Sequence, residues 1–189
     1  MLPPLLHAIQ AKTERINKRP FIIAVSGFAG SGKSTLAGRV AETLRDTEII
    51  PLDHFITHRL VHRDEDWSGF DRERFRREVL IPAREGKSIT YGVYSWPDDA
   101  ITSHRTVPPS LFLIVEGCSL FHPDLLPYYD FIVWIDMPLE ESARRGAARD
   151  KALGADHDKN WQDIWMPNDR DFFQKYSPQT AADFVYEDV

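Results

Sequence analysis

Gly27-Phe28-Ala29-Gly30-Ser31-Gly32-Lys33-Ser34-Thr35 is the stretch on which the reading of this 189-residue chain turns. It fits G-x-x-x-x-G-K-[ST], the spacing of a loop that wraps phosphate groups. Before it, Phe21-Ile22-Ile23-Ala24-Val25 is short, apolar and partly β-branched, as a strand buried on both faces should be. After it, Leu36, Val40 and Leu44 recur at helical spacing, with Ala37 and Ala41 beside them. The loop therefore joins a strand to a helix. There, glycines let backbone N–H groups turn toward an anion, and the helix N-terminus adds partial positive charge. The expected phosphate-binding set is Gly27, Ala29, Gly30, Ser31, Gly32, Lys33, Ser34 and Thr35. Lys33 would reach the β- and γ-phosphates of a nucleotide, and Ser34 would offer its hydroxyl to Mg²⁺. The alternative is a Gly/Ser-rich turn that binds nothing; the strand before it and the helix after it weigh against that.

The rest of the chain sets the frame. Its length suits one domain over residues 1–189, with 1–19 as an N-terminal segment and 20–187 as the core. A net charge of −6 argues against general nucleic-acid binding, which needs a basic face. The one cysteine, Cys118, has no internal partner for a disulfide, so a reducing, cytoplasmic setting is expected. Lying at the end of an apolar strand, Cys118 reads as a small buried hydrophobe. No apolar run approaches 18 residues, so no membrane span is expected. Leu5, Leu6, Ile9 and Ile16 form a helical stripe broken by charge, unlike a signal peptide. Residues 3–17 read as an amphipathic helix packed on the domain.

Further along, Glu48–Phe55 reads as a short strand ending in acidic Asp53. Thr57–Gly69 is polar and rich in charge, and reads as a mobile connection. Asp71 can cap a helix whose apolar face is Phe75, Val79 and Leu80, and whose arginines are solvated or paired with Glu73 and Glu78. Gly86 ends it. Ser88–Tyr94 alternates like a strand. Tyr91, Tyr94 and Trp96, followed by Asp98, Asp99, His104 and Arg105, could hold a planar, hydroxylated ligand; an ordinary hairpin with structural aromatics is the equal alternative. Leu111–Gly117 is a second buried strand and ends in Glu116, where a carboxylate can hold Mg²⁺ or its waters. Phe131–Ile135 is another strand. Leu139–Lys151 is a helix carrying Arg144, Arg145 and Arg149, able to clamp phosphates or to remain solvated. Trp161–Trp165 and Met166–Tyr176 read as helices, and Ala182–Tyr186 as a last short strand. Strands alternating with helices indicate an α/β fold, a parallel sheet covered on both faces. Ligands in such sheets bind beyond the carboxyl ends of the strands, so Lys33, Asp53 and Glu116 should face one crevice.

With these residues in order, the chain resembles the uridine kinase family of P-loop kinases over most of residues 20–187. The resemblance rests on the phosphate loop, Leu52-Asp53-His54-Phe55, Phe70-Asp71, Gly86-Lys87, Val93-Tyr94, Val115-Glu116-Gly117, Arg149-Asp150 and Ala182-Asp183. It implies a P-loop NTPase fold with about five parallel strands, a small lid and a hairpin on the acceptor side. It implies ATP and Mg²⁺ as cofactors and an alcohol group of a nucleoside or similar small molecule as acceptor. By the same resemblance, Asp53 is the base on the acceptor hydroxyl, Glu116 organises Mg²⁺ with Ser34, and Lys33, Arg145 and Arg149 act on the phosphates. Asp53, Tyr94, Trp96, His104 and Arg105 would contact the acceptor, with Ser95 standing where the family's pocket carries Asp. An ATP-binding regulator without an acceptor is the competing reading; no N-K-x-D motif supports a G-protein. Expected partners are a small molecule, not nucleic acid or membrane, with monomer and homo-oligomer both open.

Overall fold

Alternate residues of the strand ahead of the phosphate loop face opposite ways, and the two sets seed two cores. In the computed structural model, which describes residues 2–16 and 18–187, that strand is β1 (Phe21–Ser26). Phe21, Ile23 and Val25 pack with Leu5 and Ile9 of α1 (Leu2–Arg15) and with Leu36 and Val40 of α2 (Lys33–Thr43). Ile22 and Ala24 point into the other core, with Val79, Leu80 and Phe172. β1 is buried along its whole length because helices cover both of its faces. The helix expected over 3–17 spans 2–15; Asn17, like Met1, Asp188 and Val189 of the expected domain, lies outside the described residues.

β1 pairs in parallel with β5 (Phe112–Glu116) and β6 (Phe131–Asp136). β2 (Thr47–Pro51) adds beyond β5 and β7 (Phe184–Glu187) beyond β6. The result is an α/β P-loop fold with a five-stranded parallel sheet in the order β2-β5-β1-β6-β7. The expected hairpin forms a separate antiparallel pair, β3 (Ile89–Ser95) and β4 (Ala100–Val107), with a register shift between Val93 and Tyr94.

Three local expectations need correcting. Asp53 does not end a strand: β2 stops at Pro51, and Asp53 sits on a 3₁₀ turn, Leu52–Phe55. Cys118 lies past the end of β5, in the turn that follows. Residues 57–69, read as a mobile connection, are tied down. Trp67 is buried there, and Asn168 accepts from Asp64 N–H and Arg63 and donates to the carbonyl of His62. The anchors lie more than 100 residues away, so local composition could not show them.

Asp71 caps α3 (Arg72–Phe75), accepting from Arg74 N–H at 2.8 Å. The rod continues through a π turn (Arg76–Leu80) into α4 (Ile81–Arg84), and Gly86, at φ +66°, lets the chain leave. Arg76 pairs with Glu73 as expected, but Arg74 is buried and donates to the carbonyls of Gly92 and His54. It fastens the hairpin to the turn that carries Asp53. α5 (Leu139–Ala152), α6 (Asp158–Asn160), a second π turn (Trp161–Trp165) and α7 (Met166–Tyr176) close over the strand ends.

Candidate active site

The phosphate loop is shaped by two left-handed glycines, Gly30 at φ +87° and Gly32 at φ +92°, a backbone region side chains strongly disfavour. A Cβ on Gly30 would also collide with the Ser142 carbonyl of α5. Ser142 in turn donates to the Ala29 carbonyl at 2.9 Å. Lys33 is buried, and its ammonium donates to the carbonyls of Phe28 (2.8 Å) and Gly27 (3.2 Å). Burial opposes that charge, but Cys118, Asp169, Glu116 and Asp53 overcome it and raise the pKa.

Glu116, at the end of β5, accepts from Ser34 Oγ at 3.1 Å. Burial, with Asp53 adding to it, pushes the Glu116 carboxyl up to about 7, against Lys33 and Ser34. Asp53 is the more solvent-exposed of the two. The protein around it still raises its pKa, with Lys33, His54 and Arg149 pulling the other way. Both carboxylates are thus held beside one ammonium. Burial pushes the Cys118 thiol up to about 12, against the pull of Lys33.

These groups line one cavity of about 480 Å³. Lys33, Asp53, Glu116, Arg145 and Arg149, expected to meet, all face it, as do Ala29 to Thr35 of the loop. Arg145 is held by Glu141 at 2.9 Å and Arg149 by Asp150 at 2.8 Å. Ser34 and Glu116 offer a hydroxyl and a carboxylate, the hard oxygen donors Mg²⁺ prefers. Among the described residues no group of three or more His, Cys, Asp or Glu could hold a metal alone.

A second cavity, of about 240 Å³, shares Ala29, Asp53, Cys118, Arg149 and Trp161 with the first. Trp67, Trp96, Trp161 and Trp165 wall it. Of the residues expected at an acceptor, Trp96 is in this wall. Tyr94 sits behind it, edge-to-face at 6.0 Å, with its hydroxyl donating to Asp99 at 2.6 Å. The structure does not bring His104 or Arg105 to either cavity. His104 is exposed on β4 opposite Gly92, and Arg105 donates to the Ile49 carbonyl (2.9 Å) and pairs with Glu48 (3.0 Å). Those bonds tie the hairpin to β2, which is a structural role.

Sequence reasoning missed Asp169. Its carboxylate accepts from Ala29 N–H at 2.6 Å and from the Trp67 indole N–H at 3.1 Å. Burial pushes it up to about 6, against Ala29, Lys33 and Trp67. A signal was present: Trp165, Asp169, Phe172 and Tyr176 share one helical stripe, so this acid lies on an aromatic face. The cavity role of Trp161 and Trp165 was also missed. Their π turn seats Trp161 on Gly146 of α5, where any Cβ would strike the indole.

No family model matches the chain. Uridine kinase-like protein 4 of Arabidopsis thaliana is 26% identical over 129 residues, 64% of this chain and 28% of that protein. A pantothenate kinase of Streptococcus gordonii is 29% identical over 147 residues, 66% of this chain and 47% of that protein. The chain therefore spans less than half the length of either relative. Among solved structures, a candidate fructose transport system kinase from Silicibacter sp. TM1040 superposes with a TM-score of 0.77 at 23% identity, covering 98% of both chains. That likeness carries the fold. Together these matches support a uridine kinase-like P-loop kinase family for the chain, at modest identity.

Proposed function

We propose that this uridine kinase-like P-loop chain moves the γ-phosphate of ATP to an alcohol group of a small molecule. The observation that carries the reading is the junction of the two cavities. Asp53, Ala29, Cys118, Arg149 and Trp161 border both, so a phosphate end and an acceptor end meet at a carboxylate. A regulator that only binds nucleotide has no use for the second cavity.

In this reading the turned-in amides of the phosphate loop bind the phosphates. Lys33 leaves the carbonyls of Gly27 and Phe28 for the phosphate oxygens, and Arg145 and Arg149 approach from α5. Asp53 orients the acceptor hydroxyl and takes its proton. Ser34 and Glu116 would hold Mg²⁺, which would supply positive charge against the phosphates. Little covalent work falls to the protein; positioning and charge carry the rate. No helix among the described residues is long and apolar enough to cross a membrane.

The test is ADP release from Mg·ATP measured across a panel of small alcohols, nucleosides included. At least one acceptor should raise ADP release well above the rate in water and emerge phosphorylated. Excess EDTA should abolish the stimulation. ATP binding with no stimulation by any alcohol would favour the regulator.

A further inference from the structure

The four tryptophans of the second cavity are committed in a particular way. Trp67 donates its indole N–H to Asp169 at 3.1 Å, Trp161 donates to Asp150 at 2.9 Å, and Trp165 donates to the Leu60 carbonyl at 2.6 Å. Three polar handles are therefore spent inside the protein, and what those rings turn to the cavity is carbon. Trp96 stands edge-to-face with Trp165 at 6.3 Å, and Trp165 with Trp161 at 5.0 Å, so the rings form a corner and not a flat slot. Ile56, Leu60 and Phe70 add more carbon.

The polar side chains of the lining are Asp53, Arg149, Asp150 and His157, with the indole N–H of Trp96. Asp150 accepts from Arg149, from Trp161 and from His157, which fills both of its oxygens. Asp53 stands at the border with the phosphate cavity. Outside the lining, behind Trp96, Ser95 is bonded to Asp98 at 2.5 Å, and Tyr94 to Asp99. No amide side chain lines the cavity. A ligand with a long hydrogen-bonding edge, such as a nucleobase or a polyol, would set part of that edge against the carbon of Trp67, Trp165, Ile56, Leu60 and Phe70 and leave it unpaired there. A ligand with an apolar body loses nothing there and gains the area it buries.

We propose that the acceptor is a small primary alcohol with an uncharged apolar body, a ring or branched chain, seated among Trp67, Trp96, Trp161 and Trp165 with its hydroxyl at Asp53. This rests on the phosphotransfer reading above and deepens it. The cavity selects by its carbon wall and by shape.

The experiment uses the wild-type protein and three probes: benzyl alcohol, ribitol and uridine. Binding is read from intrinsic tryptophan fluorescence, and transfer from ADP release with Mg·ATP. The expected result is that benzyl alcohol quenches the fluorescence and is phosphorylated, with kcat/KM about tenfold or more above both others. If uridine or ribitol is the better acceptor, the apolar class is overturned while the kinase reading stands. If benzyl alcohol alone binds but nothing is phosphorylated, the class of ligand stands and the phosphotransfer reading fails. If none of the three perturbs the fluorescence, or all bind equally, the proposal is overturned.

Discussion

The proposed phosphate end and the proposed acceptor end of this molecule share a border but are made differently. The phosphate end is backbone: a run of nine residues, two left-handed glycines, and a helix that begins where the loop stops. Its geometry follows from local conformation, so motif spacing reads it directly. The acceptor end is side chain. Its tryptophans come from residues 67, 96, 161 and 165, on a loop, a hairpin and a π turn that meet only in the folded chain. The first is a general device for anions. The second holds the individuality of this protein, since nothing about its shape is imposed by the phosphates.

The largest test of that division is Lys33→Ala. Removing the one ammonium held by the loop carbonyls should lower turnover by about 10²–10³-fold, by analogy with the loss of a single oxyanion donor. Apolar-alcohol binding, read by tryptophan fluorescence, should be unchanged, and circular dichroism should show an intact fold. Near-normal turnover from a folded variant would remove Lys33 from the phosphate end.

Asp53→Asn comes next, because it acts on the border. It keeps the size of the side chain and removes the base. Acceptor phosphorylation should fall by about 10²-fold, the usual worth of general-base help. Nucleotide and acceptor should each still bind, as measured by calorimetry. A wild-type rate would leave Glu116 as the base and reduce Asp53 to a residue of the 3₁₀ turn.

Trp96→Ala acts on the acceptor end alone. The acceptor KM should rise about tenfold as ring contact is lost, with the ATP KM steady. A rise in the ATP KM instead would reverse the assignment of the two cavities.

How far the sequence carried the reading follows from the same contrast. The parallel sheet, the loop, and the meeting of Lys33, Asp53, Glu116, Arg145 and Arg149 were legible because each follows a strand or sits on a helix with clear periodicity. Trp96 was legible as an aromatic beside a strand. His104 and Arg105 were drawn in by proximity in sequence, but strand alternation turns His104 outward, and Arg105 serves Glu48 and Ile49. Residues 57–69 looked unrestrained because Asn168 and Asp169 act from the far end of the chain. Side-chain bonds across such separations leave no periodic trace.

Asp169→Asn is the smallest perturbation in turnover and the one that tests whether the two ends are independent. Asp169 is bonded at once to Ala29 of the phosphate loop and to Trp67 of the acceptor wall. An amide has one oxygen for two donors, and its NH₂ would face one of them, so the variant must release either the loop or the wall. The KM for ATP and for acceptor should both rise a few-fold, where Lys33→Ala and Trp96→Ala each touch one end. The pH dependence of stability supplies a second readout. The folded carboxyl is raised from 3.8 to about 6, so the native state holds this proton more tightly than the unfolded chain. Its contribution is therefore greatest below about pH 4 and is lost as pH rises through 6. Asn does not titrate. The wild-type advantage over Asp169→Asn in urea unfolding should accordingly shrink between pH 4 and 6, on the order of 2 kcal/mol. Parallel stability curves across that range would mean that Asp169 is not held as described, and a change in only one KM would mean that the two ends are not joined through it.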